Sequence, residues 1–184
     1  MEEQIAVVDE HNRFVRWEGR HAIHEQRLVH RSVYVLVVDS SGRLLIQLRH
    51  RDKQTFPLHW DISCAGHVCS DDYHAGPDDD VDEVYRLTGQ RELVEELGIE
   101  APLFEVGHFG PAEGIHYEQI RLFLVRSDGP ITCQESEVEE VRWIEPSDFA
   151  ELMASTDAKL TNSLRYFAAW ALSLIHISEP TRPY

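Results

Sequence analysis

The segment Arg91-Glu92-Leu93-Val94-Glu95-Glu96-Leu97-Gly98-Ile99 constrains this chain more than any other. At about 100° per residue, a helix through it puts Glu92, Glu95 and Glu96 (i, i+3, i+4) on one side. Leu87, Leu93, Val94 and Leu97 fall on the other, and Gly98 stops the helix. Like charges at that spacing destabilise an isolated helix, so the three carboxylates require compensation. Hard divalent cations such as Mg²⁺ take oxygen ligands and keep waters for substrate phosphates. A plain solvated acidic face is the alternative reading. Arg91 directly before the glutamates and the Gly98 stop argue for the cation.

The rest of the chain bounds what such a site can serve. Its 184 residues suffice for one domain with a sizeable core. A balance of 42% hydrophobic and 27% charged residues is that of an ordinary globular protein. The net charge of −16 lacks the basic footprint of a nucleic-acid-binding surface, so no nucleic-acid polymer is expected as a partner. Much of the acidity is local: Asp71, Asp72, Asp78, Asp79, Asp80, Asp82 and Glu83 crowd the approach to the helix. The 3 cysteines suggest no disulfide framework and point to a reducing compartment. Met1 leads into Glu2-Glu3 instead of a basic and then apolar run, so no signal peptide is expected. No apolar stretch approaches the ~20 residues needed to span a membrane. A cytoplasmic protein with no membrane partner is the expectation, and a homodimer is compatible with it.

Along the chain, Gln4–Asp9 alternates weakly as an edge strand, His11-Asn12 makes a turn, and Arg13–Trp17 follows. After Gly19 comes a histidine-rich stretch with His21, His24 and His30. Ser32–Asp39 is β-branched and aromatic, as a buried central strand should be, and Arg43–His50 returns after the turn Ser40-Ser41-Gly42. Further strands are expected at Asp61–Val68, Leu103–Gly110, Tyr117–Arg126 and Glu139–Trp143. Helices are expected at Val81–Leu97, Pro146–Ala154 and Leu160–Ala171. Strands alternating with a few helices indicate an α/β sandwich around a mixed sheet. The segment Leu172–Tyr184 resembles the translation of a transposon-type sequencing adapter. The expectation is therefore one domain, 1–171, with a non-native tail, 172–184.

The residues from Arg91 to Ile99 fill every specified position of Arg-Glu-Uuu-x-Glu-Glu-x-Gly-Uuu, the second half of the Nudix signature, where Uuu is a bulky aliphatic. The chain thus resembles the Nudix family, which implies an α/β/α sandwich. The implied activity is that of a pyrophosphohydrolase cutting a nucleoside or other organic diphosphate with Mg²⁺ or Mn²⁺. By position, the resemblance assigns the metal to Glu92, Glu95 and Glu96 and has Arg91 orient Glu92. The base for the attacking water is Glu92 or one of the acidic-loop residues Glu135, Glu137, Glu139 and Glu140. The first half of the signature is irregular. Counting back from Arg91 puts Glu83 at its acidic position, whereas counting forward from Gly66 puts Asp72 there. An acidic insertion of about Tyr73–Val81 reconciles the counts. Asp72 is preferred as the loop carboxylate that joins the metal, and Glu83, which with Asp80 also reads as a capping-box start, stands second.

Upstream, His30-Arg31-Ser32, Gly42–Arg49, Lys53, Pro57, Trp60 and Ala65-Gly66-His67 look like the branch containing isopentenyl-diphosphate isomerases and their hydrolase cousins. In that branch an arginine and a lysine four residues apart grip the substrate diphosphate, and Arg49 and Lys53 match them. A fork donor and a point charge suit phosphate oxygens. The isomerase needs a cysteine two residues before the histidine of Gly-His. Here that residue is Ala65, and Cys64 lies one place too early, on the opposite face of a strand. The expected function is therefore hydrolysis, with isomerisation and an idle Nudix-like sensor module as the alternatives. The isomerases also carry a second metal on three histidines and two glutamates. His24, His30, His67, His116 and Glu118 stand near those positions, with His116 replacing a glutamate, which shifts such a site toward Zn²⁺ or Mn²⁺. Trp60, Tyr117 and Phe109 are candidates to stack on the substrate's organic half, or plain core.

Overall fold

The computed structural model describes residues 2–177. Its axis is the strand β3 (His30–Val38), whose nine residues are all buried. Alternate side chains point to opposite faces of a strand, and β3 feeds two cores this way. Val33, Val35 and Val37 pack with Val84, Tyr85, Leu93 and Leu97 of helix α2 (Val81–Leu97). Tyr34, Leu36 and Val38 pack with Leu164, Phe167, Ala168 and Ala171 of α4 (Asn162–Ile177) and with Phe149 of α3 (Pro146–Ala154). The result is an α/β/α sandwich with a sheet covered on both faces, which explains why β3 reads as one apolar run.

The nine strands of the described residues form one mixed sheet. β1 (Gln4–Val8) and β2 (Phe14–Gly19) make an antiparallel hairpin that meets β3 at Val7↔His30. β8 (Glu118–Arg126) runs parallel to β3 from His30↔Glu118 to Val38↔Arg126, and β7 (Phe104–Phe109) lines its outer edge. β4 (Leu44–Arg49) pairs with β9 (Val138–Ile144) and with the short β5 (Trp60–Asp61). β6 (Cys64–His67) pairs antiparallel with β3, Ser32 opposite His67 and Val35 opposite Cys64.

Two expectations change. The strand expected at Asp61–Val68 is two strands, because the chain changes partner from β4 to β3 at Ser63. The Ser63 hydroxyl donates to the Leu45 carbonyl and accepts the Val37 N–H at 2.8 Å, bridging the gap where the sheet splits. The histidine-rich stretch contains a helix, α1 (Arg20–Gln26), in which Ile23 is the one buried residue. A single apolar anchor leaves no periodic signal. α4 continues past Ala171 to Ile177, so the expected tail begins inside it, and residues 178–184 lie outside those described. Among the described residues no helix is long and apolar enough to cross a membrane.

Candidate active site

The site begins where α2 crosses β6. A Cβ on Gly66 would lie 2.0 Å from Cδ of Glu92, so only glycine lets the helix seat this carboxylate flush against the strand. Glu92 and, one turn later, Glu96 therefore face inward, both buried, while Val94 faces solvent. This corrects the expectation of an apolar face through Val94 opposite a polar one. Burial pushes the Glu92 acid up to about 8 against the pull of Arg91, with Glu96 and Glu95 adding to the rise. Burial also raises Glu96, opposed by the amide of Gln47, whose Nε2 donates to Glu96 Oε2 at 3.1 Å.

Arg91 organises the acids. Its Nη1 lies 2.8 Å from Glu92 Oε1 and 3.0 Å from Glu95 Oε2. Its Nε and Nη2 fork onto both oxygens of buried Asp72 at 2.8 and 3.0 Å. Asp72 also accepts the Cys69 N–H at 2.8 Å, so both its oxygens are taken up by Arg91 and the backbone. Glu83 is not brought to the site: it is exposed on the first turn of α2 and paired with Arg86. Glu95 is half exposed beside Arg91, and the three glutamates do not converge on one point as tightly as the histidine group below.

Glu92, Glu95 and Glu96 border a cavity of about 380 Å³ that also holds Arg49 and Lys53. Arg49 Nη1 donates to Asp61 Oδ2 at 3.1 Å and its Nε donates to the Thr55 carbonyl at 3.1 Å. Lys53 is paired with Glu137, and burial followed by Arg49 lowers its pKa. Of the acidic-loop candidates, Glu137 lines the cavity. Glu139 is paired with Arg51, Glu140 pairs with Arg142, and Glu135 is exposed.

At the other end of the cavity the strand registers assemble a histidine centre. His30 and Glu118 are direct parallel partners, and His67 lies opposite Ser32 on the same face. Ligand atoms of His30, His67 and Glu118 all lie within 4.8 Å of one another. The His30 Nδ1 sits 2.8 Å from the Leu28 carbonyl, which assigns the proton there and leaves Nε2 as a buried lone pair without a hydrogen-bond partner, 3.7 Å from Glu118 Oε1. Burial, followed by His30, holds the His67 pKa well below its ordinary value, so its ring is neutral as a ligand must be. The fit to a divalent cation is good: an orphaned imidazole nitrogen, a second neutral imidazole and a carboxylate. His24 is a ring neighbour of both, with centroids 5.3 Å from His67 and 6.1 Å from His30. His116 lines the same cavity but stands outside the 4.8 Å group. It packs 5.3 Å from Tyr166 and stacks on Phe167 of α4, and both its ring nitrogens are buried without hydrogen-bond partners.

Register also places the cysteine. Cys64 pairs with Val35 and belongs to the α2 core, while Ala65 pairs with Tyr34 on the cavity side. Of the aromatic candidates Tyr117 lines the cavity, beneath Arg27 at 5.8 Å, whereas Trp60 and Phe109 pack against the α4-side core. Sequence reasoning passed over Ser32, Tyr34, Asp61, Thr161 and Ser163, which hold the site's charged groups. Of these, Ser32 lies in the run His30-Arg31-Ser32 and Tyr34 in the central strand, but neither position signals a partner on another element.

Residues 28–164 match the NUDIX domain family. An uncharacterized Nudix hydrolase of Yersinia pestis is 32% identical over 169 residues, covering 91% of this chain and 85% of that protein. An isopentenyl-diphosphate delta-isomerase of Photorhabdus laumondii is 26% identical over 96% of this chain and 92% of its own length. The crystal structure of DR0079 from Deinococcus radiodurans superposes with a TM-score of 0.72 at 22% identity, covering 92% of this chain and 99% of that one.

Proposed function

The chain belongs to the Nudix hydrolase family, and on that premise we propose that it cleaves a small organic diphosphate with Mg²⁺ or Mn²⁺ held by Glu92, Glu95 and Glu96. The observation that carries this reading is the buried pair Glu92, set against Gly66, and Glu96, on a cavity shared with Arg49 and Lys53. Buried neighbouring carboxylates are costly as a pair of anions and suit a hard cation. Such a cation, when bound, offsets charge on the diphosphate oxygens. Arg49 and Lys53 hold the phosphates, Lys53 exchanging Glu137 for a phosphate oxygen. Arg91, braced by Asp72, keeps Glu92 in place. Glu92 and the released Glu137 are the two carboxylates in position to take the proton of the attacking water. His30, His67 and Glu118, with His24 beside them, hold a second divalent metal.

The histidine centre and the Photorhabdus relative favour a second reading, isomerisation of isopentenyl diphosphate. Against it, the residue lining the cavity is Ala65, while Cys64 does not line it and its buried thiol is taken up by Glu96 on the α2 side. A panel of nucleoside, sugar and isoprenoid diphosphates assayed with Mg²⁺ or chelator decides between them. Mg²⁺-dependent phosphate release from any member supports the hydrolase. Conversion of isopentenyl to dimethylallyl diphosphate without release would replace it, and no reaction at all would leave a sensor module.

A further inference from the structure

Two hydroxyls flanking the start of α4 reach the two halves of the cavity. Thr161 Oγ1 donates to Asp61 Oδ1 at 2.6 Å and accepts the Leu164 N–H at 3.0 Å. Buried Asp61 uses its other oxygen, Oδ2, to accept from Arg49 Nη1 at 3.1 Å. Two residues on, Ser163 Oγ lies 2.9 Å from the Tyr34 hydroxyl, which donates to Glu118 Oε2 at 2.8 Å. Ser32 Oγ donates to Glu118 Oε1 at 2.8 Å, completing the set. Asn162, between the two hydroxyls, lines the same cavity. Anchoring α4 does not require these links, because Leu164, Phe167, Ala168 and Ala171 already bury it in the core. What the links add is direction: a guanidinium and a carboxylate, each on a rotatable stem, are held by continuous chains of hydrogen bonds.

We propose that Thr161 and Ser163 are positioning residues, the first setting Arg49 for diphosphate through Asp61, the second setting Glu118 for metal through Tyr34. One turn of one helix then fixes the distance between the two halves of the site. The proposal rests on the reading of Arg49 as a phosphate ligand and Glu118 as a metal ligand.

The test uses the full chain and two probes: methylenediphosphonate with Mg²⁺ by calorimetry, and Co²⁺ by visible absorption in excess Mg²⁺. Thr161→Val, which keeps the shape and loses both bonds, should weaken methylenediphosphonate about tenfold, the scale of a hydrogen bond to a charged group. Its Co²⁺ binding should be unchanged, and Thr161→Ser should restore diphosphonate binding. Ser163→Ala should do the reverse, weakening Co²⁺ several-fold and sparing the diphosphonate. Should Thr161→Val not fold, the isosteric Asp61→Asn reads the same arm. Leu164→Ala loosens the packing of α4 while keeping the backbone N–H that Thr161 accepts; if it reproduces both losses, the effect is stability and the proposal falls. It falls equally if Thr161→Val and Ser163→Ala bind both probes normally while Arg49→Gln and Glu118→Gln lose them. Normal binding in those last two variants would remove the underlying site reading, and this proposal with it.

Discussion

Glu92→Gln removes a buried charge while keeping its shape, and its effect on the metal-free protein has a sign that can be worked out. Glu92 is 9% exposed, and burial holds its acid at about 8 where 4.5 is ordinary, with Arg91 opposing and Glu96 and Glu95 assisting. Between those two values the folded chain keeps a proton that the unfolded chain gives up, so the unfolding free energy falls as pH rises through the window. His24, His67 and His116, whose pKa values burial lowers, add the opposite slope below their ordinary 6.5. The clean interval therefore runs from 6.5 to about 8. A single group contributes up to about 1.4 kcal/mol per pH unit, so Glu92 costs roughly 2 kcal/mol across it. Urea unfolding in chelator at both ends of the interval should show wild-type protein losing roughly that much relative to Glu92→Gln. Saturating Mg²⁺ should abolish the loss, because a cation takes the place of the proton, and should do little for the variant. Parallel pH dependence of the two proteins in chelator would refute the buried, protonated state assigned to Glu92. An equal response of both to Mg²⁺ would remove Glu92 from the metal site.

Glu96→Gln should lower Mg²⁺-dependent turnover on the order of a hundredfold or more with unfolding little changed, the scale of one electrostatic contact at a reacting centre; unchanged kcat would refute its assignment. Unmodified protein and Ala65→Cys should both fail to convert isopentenyl to dimethylallyl diphosphate, since a cysteine alone leaves His116 packed on α4; product detected by chromatography from either would revive the isomerase. Protein purified without chelator should retain a transition metal that His30→Ala and His67→Ala lose. Equal metal content in all three would leave these histidines with substrate or packing roles.

The signature helix was legible because its message is contiguous and tied to the helical repeat: Val81–Leu97 forms as expected, closed by Gly98 in the left-handed conformation. Its orientation was not. The buried face runs through Val84, Tyr85, Thr88, Gly89, Glu92, Leu93, Glu96 and Leu97, so two carboxylates occupy positions where patterning expects apolar side chains. Gly66 leaves room for that face, and it belongs to another element, β6. The histidine centre is the same kind of case. Its candidates could be named along the chain, but only the registers of β6 and β8 on β3 separate His30, His67 and Glu118 from His116. The hydroxyls that brace the site carry no local signal, because each acts on a partner from another element.

The first acidic position shows why spacing failed where geometry does not. The count between Gly66 and Arg91 is irregular, so spacing along the chain prefers Asp72 but leaves Glu83 as a second choice. In space Arg91 chooses: its fork lies on Asp72, and Glu83 is two turns away on Arg86. A carboxylate one methylene shorter suffices because the turn Ser70–Asp72 brings its backbone close, with Cys69 N–H closing on Asp72 Oδ2. The insertion is in turn fastened to the central strand. Arg31, fully buried on β3, donates to the Tyr73 hydroxyl and Asp78 at 2.8 Å each, to Asn12 Oδ1 at 3.0 Å, and to the Pro77 carbonyl. These bonds offset the cost of burying the guanidinium, whereas removing Asp78, its one anionic partner, would leave that charge unpaired. Arg31 thus holds both ends of the acidic loop, delivering Asp72 to Arg91 on one side and the start of α2 on the other. The acidity that crowds the approach to the helix is therefore divided: Asp72 and Asp78 are answered by arginines, while Glu92 and Glu96 are buried on the helix and line the cavity.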